Sequence, residues 1–272
     1  MRVGFVGLGV QGGPIADQII SGGHSLTVWA RRRDVSDAYF ERGAAVAEDL
    51  RALGAASDIV GVCVVDDQDV EAVGAGLLDG LAPGSVIVVH STVAATTVKR
   101  LAAAATTHGV DVLDAPVIGG AVAARNRTLA VAVGGDDQVF AKCTSVLASY
   151  GDPIVHVGVV GDGQVMKLLF NLLFVVNIEV MDRFADIAAE LGLDRSQSAT
   201  LFDYLRTNTF AARFVQRAIP SHMLEHAVKI LQKDYALART LLDDSGTDPA
   251  PLDSLGAAAL ERCSQVTRSG QG

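Results

Sequence analysis

The sequence predicts an α/β N-terminal domain with a mostly parallel, doubly wound sheet, then a long interdomain helix, then an all-α C-terminal domain. Three observations carry this. Short aliphatic runs alternate with stretches of helical length up to about residue 160, the βαβα rhythm of a parallel sheet. Most of those runs are continuously apolar rather than alternating, as strands covered on both faces are. From Gly161 onward only helical periodicity remains. At ~150 residues per domain the chain of 272 residues amounts to about 1.8 domains, and we divide it into residues 1–160 and 161–272.

The strand-like runs are Val3–Gly7, Ser25–Ala30, Ile59–Val65, Ser85–His90, Val110–Ala115, Leu129–Val133 and Ile154–Val157. Val93–Thr107 and Asp136–Ser149 are typical of the helical stretches between them. A long helix is expected over residues 161–191, stopped by Gly192. Further helices are expected over Arg195–Leu205, Ser221–Leu242 and Leu252–Arg268. The greasiest run, Val165–Val180, is interrupted by Lys167, Asn171, Asn177 and Glu179. A membrane span needs ~20 nearly uncharged residues, so this run reads as a helix buried on most sides.

Composition narrows the function classes. Lys plus Arg is 22 against 31 Asp plus Glu, a net charge of −9, which argues against nucleic acid as a partner. Half the residues are apolar and 19% charged, far from the disordered class. Cys63, Cys143 and Cys263 are widely spaced and lack a CxxC pair, which fits a reducing cytoplasm rather than a disulfide framework or thiolate zinc site. The MRVGFVGLG start has no charged-then-apolar leader. His222, Glu225 and His226 spell HxxEH, a zinc spacing, but no third ligand is evident, so we read a polar helix stripe and expect no metal. His24, His108 and His156 sit at strand ends or turns, whereas His90, beside Ser91, is a candidate for lining a cleft. Asp66 and Asp67 follow a strand's C-terminal end and read as loop caps or ribose contacts.

The strongest motif is Gly7-Leu8-Gly9-Val10-Gln11-Gly12, which follows the first strand and opens a helix. Gly7 permits the tight turn, Gly9 lets backbone approach a pyrophosphate, and Gly12 allows close helix–strand packing. The helix N-terminus then turns its partial positive charge to the phosphates. This is the Rossmann arrangement for a dinucleotide. An NAD site carries Asp or Glu about 20 residues on to hold the ribose 2′-hydroxyl. Here Ala30 stands at that place, followed by Arg31, Arg32 and Arg33. Guanidinium groups suit a 2′-phosphate, so NADP(H) is expected, with Arg31 as first contact and Arg32 beside it.

Several further motifs fit one family. GFVGLGVQGGPIA (4–16), CVVDD (63–67), HST (90–92), DAPVIGGAVAA (114–124), GDGQVMKLLFN (161–171) and LQKD (231–234), in this order and spacing, resemble the β-hydroxyacid dehydrogenases, the group of 3-hydroxyisobutyrate dehydrogenase and tartronate semialdehyde reductase. Imine reductases are similar at greater distance. The resemblance implies a 6-phosphogluconate dehydrogenase-like helical domain that builds a homodimer or homotetramer. It implies Lys167 as the catalytic lysine and Asn171 as its partner. Ser91 and Thr92 are implied beside the nicotinamide and substrate, Ile118, Gly119 and Gly120 in the substrate loop, and Val65 and Lys233 on the cofactor side.

The residues agree with the lysine's role. Lys167 and Asn171 are spaced i, i+4 and project from one helix face. An interior ammonium costs several kcal/mol unless partnered, and desolvation lowers its pKa toward the range where proton transfer is efficient. Lys167 can then give a proton to a carbonyl oxygen in reduction and take a hydroxyl proton in oxidation.

Departures concentrate in the substrate pocket. Ile118 stands where the family carries a serine that helps hold a carboxylate, Ala123 and Arg127 replace small positions, and Val89 replaces an acid. The C-terminus, Ser269–Gly272, stops where the family's Gly-x-Gly-Asp segment begins. A small 3-hydroxy acid or semialdehyde is the expected substrate. The alternatives are imine-like or other carbonyl-like reduction of a non-acid substrate, and a non-catalytic NADP-binding module.

Overall fold

The computed structural model describes residues 1–194, 197, 221–246, 248, 250 and 252–269, without the side chains of 221–225 and 266–269. The chain divides into two compact units, Met1–Lys167 and Leu168–Gly272. Among the described residues of the first unit, nine strands form one sheet: β1 (Arg2–Val6), β2 (Ser25–Trp29), β3 (Ala45–Val46), β4 (Ile59–Val62), β5 (Val86–Val89), β6 (Asp111–Asp114), β7 (Val117–Ile118), β8 (Leu129–Gly134) and β9 (Gly151–Gly158). The order is β3-β2-β1-β4-β5-β6-β8-β7, with β9 on β8. The path from β3 to β6 is parallel throughout; β8 is antiparallel to β6 and β7 and parallel to β9.

The continuous apolar runs are explained by this sheet. Side chains alternate faces along a strand. Phe5 of β1 and Val88 of β5 enter one core with Ile15, Ile19 and Val146. Their strand neighbours Val6, Ile87 and Val89 enter a second core with Leu53, Val70, Leu77 and Val98. Helices therefore cover both faces, as the doubly wound expectation requires. They are α1 (Gly12–Ser21), α2 (Arg33–Phe40), α3 (Leu50–Ala55), α4 (Asp67–Leu78), α5 (Ala95–Thr106), α6 (Gly120–Arg125) and α7 (Asp137–Leu147). Connection order reverses between β1 and β4, and ligands of such sheets bind at that switch point, beyond the strands' C-terminal ends. The two-residue strands β3 and β7 are additions to the expected set; they are too short to show a period.

α8 (Asp162–Glu190) starts in the first unit and enters the second, where α9 (Ser221–Ser245) and α10 (Leu252–Ser269) follow. Val175, Ile178 and Met181 of α8 pack with Leu231 and Ala259, and Leu172 and Val176 pack with Ala238. Arg262 pairs with Glu179 at 3.1 Å, Asp182 at 3.2 Å and Asp186 at 3.0 Å, tying α10 to α8. By length and composition α8 is apolar enough to span a bilayer; here one face lies in this helical core. The expectation of burial on most sides is corrected: Met166, Leu169, Phe170 and Leu173 are exposed because the core takes a single face of the helix. The helix expected over Arg195–Leu205 lies outside the described residues.

Candidate functional site

The glycine loop behaves as its sequence demands. Gly7 has φ +95°, and a Cβ there would collide with the carbonyl of Cys63 in the loop after β4. A Cβ on Gly12 would collide with the carbonyl oxygen of Gly7. Around Gly9 a Cβ would meet nothing, so that stretch of backbone is open to approach. α1 begins without a side-chain cap and without an acid in its first turn. Gly13 already donates its N–H to Gly9 O at 2.8 Å and Pro14 has none, which leaves the Gly12 N–H at this end for an anion. Gln11 adds a side-chain nitrogen that is buried and has no hydrogen-bond partner. A dinucleotide pyrophosphate fits this cradle: it needs close backbone approach, N–H donors and no competing carboxylate. Leu8 is half-buried and Val10 is exposed on the same turn.

Beyond β2, Arg31 is bound in two places by Asp69 of α4, Nη1 to Oδ1 at 3.3 Å and Nη2 to Oδ2 at 3.5 Å. Its side chain is 72% exposed and that of Asp69 25%. The pair is an exposed one, worth about 0–1 kcal/mol, so the guanidinium can exchange Asp69 for a phosphate. Arg32 holds the N-cap position of α2, and Arg33 lies 3.8 Å from Asp37.

Two neighbouring loops are braced. Asp66 caps α4, its Oδ1 accepting from Asp69 N–H at 2.9 Å. Asp67 Oδ1 accepts from Ala94 N–H at 2.9 Å and Thr97 Oγ1 at 2.6 Å. Asp66 is a cap, one of the two readings offered by the sequence, whereas Asp67 ties the start of α4 to the start of α5. Ser91 is buried, and its Oγ accepts from Val64 N–H at 2.8 Å, which joins the loop after β5 to the one that carries exposed Val65. Thr92 is half-buried between these anchored residues.

His90 does not line a cleft. It is 3% exposed, with Nδ1 donating to Ala115 O at 2.8 Å and Nε2 accepting from Tyr150 Oη at 3.1 Å. Burial pushes its pKa down to about 4, so the ring is neutral. It faces the sheet interior because position 90 continues the alternation of β5.

At the end of β7, Ile118 is half-buried and pairs with Ala130 of β8. Gly119 has φ +127° and would drive a Cβ into Ala123; Gly120 has φ +71° with open space around it. Arg127, at a position expected to be small, has φ +61° and its Nε donates to Ser149 O at 3.0 Å. That bond gives a left-handed arginine a compensating partner.

Lys167 is half-buried on α8, one turn ahead of Asn171. In the second unit Asn171 Nδ2 donates to Asp234 Oδ2 at 2.6 Å, and Lys233 Nζ lies 3.3 Å from Asp234 Oδ1. Asp234 is 2% exposed and organises both polar neighbours. The sequence pairs it with Lys233 but assigns it no task; its signal is the LQKD segment itself. Also missed are Asp114 and Gln164, both fully buried, which fasten the start of α8. No cluster of His, Cys, Asp or Glu suited to a metal occurs among the described residues, and the side chains of His222 and Glu225 lie outside them.

Residues 2–158 match the NAD binding domain of 6-phosphogluconate dehydrogenase. The 2-hydroxy-3-oxopropionate reductase of Escherichia coli is 36% identical over 71% of this chain and 67% of its own. A 3-hydroxyisobutyrate dehydrogenase structure from Salmonella typhimurium superposes with TM-score 0.82 at 25% identity, over 99% of this chain and 95% of that one. The structure of Psf3 in complex with NADP+ and 2-OPP superposes with TM-score 0.80 at 26% identity, over 98% and 94%.

Proposed function

Because this chain belongs to the family of the NAD binding domain of 6-phosphogluconate dehydrogenase, and is an oxidoreductase related to the hydroxyacid dehydrogenases, we propose that it is an NADP(H)-dependent enzyme of small 3-hydroxy acids or their semialdehydes. The observation that carries the reaction is the pair on α8: a half-buried lysine, and one turn later an asparagine oriented by a buried aspartate. A nicotinamide coenzyme held at the α1 N-terminus supplies or accepts the hydride. Lys167 gives its proton to the substrate oxygen in reduction and receives the hydroxyl proton in oxidation. Asn171, held by Asp234, orients substrate or lysine. Gly7, Gly9, Gln11 and Gly12 would hold the pyrophosphate, and the family resemblance assigns Val65, Thr92 and Lys233 to the coenzyme. Ser91, Thr92, Ile118, Gly119 and Gly120 shape the substrate side.

NADP(H) over NAD(H) rests on Arg31 and Arg32 where an acid would otherwise hold a ribose diol. Ile118 supports a second reading: with no side-chain donor at that position, a substrate without a carboxylate, reduced at a carbonyl or imine carbon, suits the pocket better. A non-catalytic coenzyme binder is the third reading, and the presence of Lys167, Asn171 and Lys233 stands against it.

We place the protein in the cytoplasm and pair it with a second copy through the helical domain. Phe170, Leu173, Val180, Phe184, Ile187 and Leu191, spaced by 3, 7, 4, 3 and 4 residues along α8 or just past its end, are exposed. Solvent-facing apolar stripes of this kind mark association surfaces.

Initial rates with NADP⁺ and NAD⁺, across short 3-hydroxy acids and their carboxylate-free alcohol analogues, test the proposal. Faster turnover of the acids with NADP⁺ is expected. Turnover of only uncharged analogues moves the assignment to the second reading, and coenzyme binding without turnover moves it to the third.

A further inference from the structure

We propose that Gln164 is a positioning residue that sets the Ser91–Val93 loop against the turn of α8 carrying Lys167. This rests on the reading of Lys167 and Thr92 given above. Gln164 is 0% exposed and lies three residues before Lys167. Its Oε1 accepts from Val93 N–H at 3.0 Å and its Nε2 donates to Ser91 O at 2.9 Å. Its own N–H donates to Asp114 Oδ2 at 2.7 Å, while Asp114 Oδ1 accepts from Gly161 N–H at 2.7 Å. One side chain therefore grips the loop on both sides of Thr92, and its backbone is in turn fastened to the end of β6.

The chemistry of the grip is specific. The loop offers one carbonyl and one N–H, so its partner must be donor and acceptor at once. A primary amide meets both demands in a single orientation, and an ionised carboxylate meets only one. All these groups are buried, where an unpaired polar atom is costly. The opposite flank of the loop is held independently by Asp67, through Ala94 N–H and Thr97. Without Gln164 the loop keeps its far anchor and loses its register against α8. A packing role alone would be served by any side chain of this size. A positioning role demands the amide.

The test compares the wild-type protein with Gln164→Glu and Gln164→Leu. Hydrogen exchange of residues 91–95 is followed without coenzyme, NADPH affinity by fluorescence titration, and kcat and KM across pH. In Gln164→Glu the introduced carboxyl must be protonated to donate to Ser91 O. Burial and Asp114 both favour that protonated form at low pH; Asp67 on α4, Lys99 beside Gly161, and Asp162 and Lys167 on α8 are the other charged groups on the surrounding elements. The expected result is a kcat near wild type at acid pH that falls roughly 10- to 100-fold as pH rises, with NADPH affinity held within about threefold. Gln164→Leu should show the low kcat at every pH and faster exchange confined to 91–95. A Gln164→Glu pH profile that superimposes on wild type overturns the proposal. So does a loss of kcat, KM and melting temperature together at all pH values. If Gln164→Glu does not fold, Gln164→Asn replaces it: local exchange must rise and kcat must drop, and no change in either overturns the proposal. Absence of turnover in the wild type would count against the proposed function, while exchange at 91–95 still decides the brace.

Discussion

Two glycine-bearing loops leave the C-terminal side of the same sheet, and they are built by different means. The loop after β1 is held by backbone against backbone. Gly7 and Gly12 are required because a carbonyl stands where their Cβ would be. The loop after β7 is held by side chains. Gly119 is crowded by Ala123, Gly120 is in open space, and Ile118 presents a hydrocarbon surface. The first loop opens a ten-residue helix, the second a six-residue one. In the proposed function the first loop meets the coenzyme with peptide groups, which substitution barely alters, and the second meets the substrate with side chains.

The largest expected effect falls on neither loop. Lys167→Ala should lower kcat by roughly a thousandfold and leave NADPH affinity within a few-fold in a fluorescence titration. Near wild-type turnover would end the assignment of this lysine as acid and base, and with it the reason to treat the two loops as sides of one reaction.

The contrast itself is tested by matched substitutions. Gly12→Ala must push the helix away from Gly7, and NADPH affinity should drop roughly a hundredfold or the domain should fail to fold. Gly120→Ala meets no atom and carries only its left-handed backbone, about 1–2 kcal/mol in a urea melt, with coenzyme affinity unchanged. Equal losses in the two variants would erase the distinction.

The roots of the loops differ in their response to acid. His90 donates to Ala115, just ahead of β7 and its loop, and is neutral with a pKa of about 4. Between the ordinary histidine value and that pKa, the unfolded chain takes up a proton that the fold refuses. Its stabilising contribution is therefore complete above about pH 6.5 and is lost as pH falls toward 4, on the order of 3 kcal/mol. His90→Gln should flatten this limb of a pH series of denaturant melts. An unchanged slope would show that other groups govern acid unfolding.

The smallest effects concern coenzyme choice. Arg31→Ala should shift the ratio of NADPH to NADH affinities toward NADH by about tenfold. Asp69→Asn removes a negative charge that competes for Arg31 and should tighten NADPH a few-fold, a gain that shrinks as salt rises. If Arg31→Ala leaves the ratio unmoved, the arginine run has no part in coenzyme selection.

What could be read from the sequence depended on the range of the interaction. The parallel sheet, the long helix and the glycine loop are written in local periodicity and in adjacent residues. β3 and β7, two residues each, are set by partners and not by their own pattern. Arg31 was legible as a cation beyond β2, but Asp69, 38 positions away, was not legible as its counter-ion. His90 was misplaced because its neighbour Ser91 suggested a cleft, whereas strand alternation turns the ring inward. Lys167 and Asn171 were legible through their spacing as neighbours on one face of α8. Gln164 looked like one more helical residue until the fold brought Ser91 and Val93 to it.

The N–H of Gly161, just before α8, and that of Gln164 in its first turn both donate to Asp114, 47 and 50 positions upstream. During synthesis those N–H groups leave the ribosome long after β6, and they are satisfied only once that strand has its place in the sheet. A peptide cut to the helix alone would fray at its leading end. The leading end of α8 is thus satisfied by a carboxylate of the sheet rather than from within the helix.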